Sequence, residues 1–182
     1  MPDRLYFTES DEANELIAPD PLALLVGFAL DQQVSVQKAF AGPLALKERL
    51  GAVDAATLAA TDLEPAFREK PAIHRFPGSM AQRVHELAVH VRDRYDGDAG
   101  RVWTNAPDAE TLRANLSALP GFGEMKIKAL GSVLAKRFGV EAANDLVPWH
   151  PTLGDVDSPQ ALADYQTAKR AHKAEWSKAS AR

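Results

Sequence analysis

The chain has 182 residues, of which 46% are apolar and 25% charged, with no cysteine and a formal net charge of −4. That is enough chain for one domain with a real core, and it excludes disulfides, thiolate zinc sites, iron–sulfur clusters and a cysteine nucleophile. The most apolar stretch, residues 21–30, is shorter than the roughly 20 residues of a bilayer span, and Met1-Pro-Asp-Arg lacks a signal peptide's basic and apolar regions, so a cytoplasmic chain with no membrane segment is expected.

Residues 1–20 hold six acids against one base, Arg4. Asp20 is placed to cap a helix with Pro21 at its first position, and the apolar run to Leu30 leaves it no polar face. A helix apolar all round is a central, buried one. A second helix is predicted from about Val34 to Leu50, interrupted or kinked at Gly42-Pro43 because proline cannot donate its N–H. Asp54 caps a short helix over 55–60, and 63–69 reads as another helical turn.

Residues 70–78 are expected to be a loop. Ser79 then caps an amphipathic helix whose stripe is Met80, Val84, Leu87, Ala88, Val91 and Tyr95, closed by Asp96-Gly97. A helix over about 107–118 turns Leu112 and Leu116 inward, and another runs from Glu124 to Phe138, closed by Gly139. Residues 140–158 read as irregular, with Pro148 and Pro151 among them. A last helix begins near Pro159, capped by Ser158 or Asp157. With no period-2 alternation and no repeat, the expected class is all-α.

The most informative segment is Leu119-Pro-Gly-Phe-Gly123, a tight turn between two helices. Its glycines allow positive φ and close approach. The first amides of the following helix lack partners inside it, so with the helix dipole they form an anion site. Residues 124–137 add four bases against Glu124, and residues 169–182 hold five against Glu175. Local charge, rather than the net −4, decides where an anion docks. Gly121, Phe122, Gly123, Lys126 and Lys128 are therefore the candidate contacts to a DNA backbone. The plain alternative is a Gly-x-Gly that only joins two helices.

Three segments resemble the helix-hairpin-helix (HhH-GPD) DNA glycosylase superfamily, in particular its small cysteine-free subgroup. They are Leu119–Gly123, Leu24-Leu-Val-Gly-Phe-Ala-Leu-Asp-Gln-Gln-Val-Ser-Val36, and Phe76-Pro-Gly-Ser-Met-Ala-Gln-Arg-Val84. The resemblance spans roughly residues 20–160. It implies one domain over 1–182 with two helical lobes, the hairpin motif at about 112–138 and the C-terminal helix at about 159–180. It implies a monomer that needs no cofactor or metal, binds double-stranded DNA and extrudes a damaged base into a cleft for removal. Gln33 falls where the superfamily places the side chain that fills the vacated stack.

Bifunctional members carry a lysine two residues after the second hairpin glycine. Met125 stands there, and Lys126 lies about 100° further around the helix, so no Schiff-base lyase chemistry is expected. Ile127 replaces the alanine usual at a close helix contact, which predicts altered packing. The resemblance also implies an aspartate near the start of the helix after the hairpin, whose carboxylate stabilises the cationic sugar. Asp145 fits the superfamily's spacing, while Asp155 and Asp157 fit its context better; Asp155 is ranked first because the capping role of Asp157 or Ser158 does not already account for it.

Among the other aromatic and imidazole residues, Trp149 is expected in the core, although an aromatic beside the catalytic aspartate could also stack on a base. His74 is equally suited to a structural role or to a ligand contact. Two rival readings stay open: a catalytically inactive DNA-binding or damage-sensing protein of the same fold, and an acidic protein-interaction module.

Overall fold

In the computed structural model, which describes residues 2–180, ten α-helices account for most of the chain and no strand forms among the described residues. Several helices start at a capping side chain. Ser10 caps α1 (Asp11–Ile17) and Asp20 caps α2 (Pro21–Leu30), its carboxylate accepting from the amides of Leu22 and Ala23. Ser35 caps α3 (Val36–Leu50) and Asp54 caps α4 (Ala55–Ala60). Next come α5 (Glu64–Arg68) and α6 (Pro77–Tyr95), which ends as Asp96 turns left-handed at φ 56°.

The chain continues through α7 (Arg101–Thr104), α8 (Ala109–Ser117) and α9 (Glu124–Phe138). Two 3-10 turns follow, over Glu141–Leu146 and Leu153–Asp155, before α10 (Pro159–Ser180). The Ser158 hydroxyl accepts from Ala161 N, which makes Ser158 the cap of α10.

Helix α2 is the centre of the core: Leu22 through Leu30 are all buried. It packs on α1, α3 and α6, while α4 and α5 pack on α6. Further along the chain, α9 carries both 3-10 turns and touches α8, which also meets α7; α10 rests on the 153–155 turn. One contiguous apolar core joins the whole set. Phe40 of α3 meets the rings of Phe7 and Phe28 edge-on at 4.9 and 5.0 Å. This approach is possible because Gly27 has no side chain; a Cβ there would lie 2.3 Å from the Phe40 ring.

Three features depart from the sequence reading. Helix α3 runs unbroken through Gly42-Pro43, where both residues are buried and the missing Cβ of Gly42 makes room for Leu30. Helix α6 starts at Pro77, so Ser79 lies inside its first turn and caps nothing. Helices α1 and α7 were not anticipated; they have seven and four residues, too few to show a period. Arg182, one of the basic residues of the C-terminal segment, lies outside the described residues. No single helix among the described residues is long and apolar enough to cross a membrane.

Candidate functional site

The turn between α8 and α9 has the predicted form. Gly121 sits at φ 81°, and Phe122 donates its amide to the Leu119 carbonyl at 3.2 Å while its ring is buried. The first amide with a helical acceptor is that of Ile127, to Gly123 O at 3.0 Å. The amides of Gly123, Glu124, Met125 and Lys126 find no acceptor among the described residues. Gly121 and Gly123 are exposed, so the corner is open to solvent.

One cation at this corner escaped the sequence reading. Arg83 of α6 lays its guanidinium against Gly121, where an added Cβ would meet its Nη1 at 1.9 Å. The available signal was the glycine itself, since a residue without Cβ at positive φ marks a place where another group comes close.

Beside the corner lies a cleft of about 320 Å³. Phe28, Asp31 and Gln32 from the end of α2 form one wall, and Met125, Lys126 and Lys128 of α9 form the second. The 150–153 segment and Tyr165, Lys169, Lys173 and Trp176 of α10 complete it. Four lysines thus face a cleft with one acid in its lining. Larger recesses hold Asp62 and Glu64, or Glu12, Glu15 and Asp20, and suit an anion poorly.

Lys126 is half-buried and points at the C-terminal end of α2. Its Nζ donates to Ala29 O at 3.2 Å and lies 3.5 Å from Gln32 Oε1. Burial lowers its pKa, opposed by the charge of Asp31 and helped by Arg83. Lys126, a candidate contact to a DNA backbone, is thus held inward by a carbonyl at the end of α2. Lys128 lies in the same lining, 4.0 Å from Glu124.

The turn after α2 is held by His74, which is buried. Its Nε2 lies 3.1 Å from both Leu30 O and Gln32 O, and its Nδ1 accepts from Phe76 N at 3.0 Å. Two carbonyls on one nitrogen and a donor on the other define a neutral ring with its proton on Nε2. Burial lowers its pKa. The clamped turn sends Gln32 inward, 3.6 Å from Met80 Sδ, and Gln33 outward, exposed at φ 57°.

The two candidate aspartates lie elsewhere. Asp155 closes a capping box on its own 3-10 turn: one oxygen accepts from Thr152 N at 2.8 Å and the other pairs with Lys136 at 2.5 Å. This corrects the premise that no structural duty accounts for it. Asp145 is exposed on the 141–146 turn. Neither belongs to the cleft lining, whereas Asp31 does. Burial raises the pKa of Asp31, opposed by the charges of Lys169 and Lys126.

The expectation that Trp149 lies in the core is corrected: it is 65% exposed, on the proline-bounded 148–151 segment, with its ring edge-on to His150 at 5.4 Å. His150 stacks on Trp176 at 5.2 Å, with the rings 12° from parallel, so an aromatic pair borders the cleft. Ile127 is buried at the start of α9. Comparison with protein-family models, curated proteins and solved structures finds no match to this chain.

Proposed function

We propose that the chain is a DNA-binding base excision repair protein: a monomeric, monofunctional DNA N-glycosylase of the HhH-GPD kind, with a two-lobed helical fold and a damaged duplex as its partner. One observation carries this reading. The same short turn that directs Asp31 and Gln32 into the cleft directs Gln33 out of it, and α9 borders that cleft while offering four bare amides at its start. A duplex held through its phosphates at those amides, with Arg83 adding charge, would present a flipped nucleotide to the cleft and Gln33 to the gap left behind. The stacked His150 and Trp176 rings border the cleft, and the exposed Met125 adds apolar surface beside it for a base.

Met125, which is 61% exposed, occupies the nucleophile's place. The Lys126 amine is held by Ala29 O. Base removal would therefore proceed by hydrolysis. Borohydride added to the protein and an abasic duplex should trap no covalent complex.

The test is a panel of duplexes, each with one alkylated purine, uracil or oxidised guanine, heated in alkali after incubation. Strand cleavage at one lesion type supports the reading, and an uncleaved panel removes the enzyme claim. The inactive, damage-sensing alternative is favoured by the two committed oxygens of Asp155. It expects salt-dependent duplex binding without turnover.

A further inference from the structure

The carboxylates around the cleft differ in one respect. Asp155 holds Thr152 N and Lys136, Asp164 accepts from Gln160, and Glu124 is paired with Arg113. Asp31, directly after α2, accepts no hydrogen bond from the described residues, yet it sits in the cleft lining beside Phe28. The charges acting on it are Lys169 and Lys126, on different helices. A half-buried carboxylate without a donor costs stability that an apolar side chain in that wall would avoid. Its place suits a function, since a positively charged group entering the cleft would be its missing partner.

Resting on the cleft reading above, we propose that Asp31 is the catalytic carboxylate, facing the deoxyribose of an extruded nucleotide. As the C1′–N bond breaks, its electron pair leaves with the base and positive charge develops on the sugar, which Asp31 stabilises. Water bonds to C1′ and gives its proton to Asp31, which passes it to the departing base and returns to the ionised form. Lys126 is committed to Ala29 O and the bound backbone neutralises Lys169, which leaves the one acid of the described lining to face the sugar.

Two duplexes test this without knowledge of the lesion. One carries an uncharged tetrahydrofuran abasic nucleotide, and the other a pyrrolidine nucleotide whose protonated ring nitrogen mimics the cationic sugar. The intact protein should bind the cationic duplex about tenfold more tightly or better. Asp31→Asn should abolish the preference and keep the tetrahydrofuran affinity within about threefold; Asp31→Ser, checked for folding by circular dichroism, should do the same. Asp155→Asn should keep the preference. A preference that survives in both Asp31 variants, or is absent from the intact protein, overturns the assignment. If the intact protein binds neither duplex at low salt, the repair reading itself falls, independently of Asp31.

Discussion

Gly121 and Gly123 look alike in the sequence but are held by different physics. A side chain at Gly121 must adopt φ 81° and displace the Arg83 guanidinium, whereas Gly123 has nothing within 4 Å of a Cβ and an ordinary φ of −89°. Gly121→Ala should destabilise the fold by about 1–3 kcal/mol, and Gly123→Ala should stay within about 0.5 kcal/mol. Urea denaturation of both variants checks this, and equal effects would contradict the account of the corner. His74 and His90 have lowered pKa values, mainly through burial, so the unfolded chain binds more protons than the native one. Their contribution is complete above the ordinary value of 6.5 and is lost as pH falls below it towards the lowered native values. The drop in unfolding free energy from pH 7 to pH 5 should therefore be steeper in the intact protein than in a His74→Gln, His90→Gln variant; equal slopes would refute the neutral-ring assignment of His74. Residue roles were the least readable level of the sequence. Asp155 and Asp31 cannot be told apart by type or neighbours. What separates them is that Lys136, nineteen positions back, and Thr152 already occupy Asp155, while Asp31 is met only by side chains far along the chain.

At the scale of elements, the helix ends were readable where the signal is local. Asp20, Asp54 and Gly139 act within a few residues of themselves, and the bounds of α2, α4 and α9 match the reading. Where tertiary contact decides, the reading failed: α3 continues through Pro43 because its buried face is committed to α2 and its surroundings. That commitment makes Gly27 a sensitive position. Gly27→Ala would press on the Phe40 ring and should cost about 1–3 kcal/mol, read as a lowered melting temperature. The 152–155 segment is fixed just as tightly, since a Cβ on Gly154 would lie 2.5 Å from Ser132 O of α9. Asp155→Ala breaks both the capping box and the pair with Lys136, and should cost about 1–2 kcal/mol. If melting were unchanged, the structural role given to Asp155 would be wrong.

For the whole molecule, the lack of period-2 alternation indicated an all-helical chain, while the net charge of −4 averages an acidic N-terminal stretch with a lysine-lined cleft. The cleft itself could not be read along the chain. Its walls come from residues near 30, 126, 150 and 170, brought together only when α2, α9 and α10 converge. The hairpin was the one piece of the site written contiguously. The proposed function then requires that this corner and cleft hold a duplex by its phosphates. The most direct measurement is fluorescence anisotropy of a labelled duplex carrying one tetrahydrofuran site, titrated with the protein from about 50 to 200 mM salt. Binding should weaken along a straight log-log line with a slope near −0.9 per phosphate neutralised, and Lys169→Glu with Lys173→Glu should make that slope shallower. No binding at the lowest salt, or an affinity indifferent to salt, would contradict the central claim.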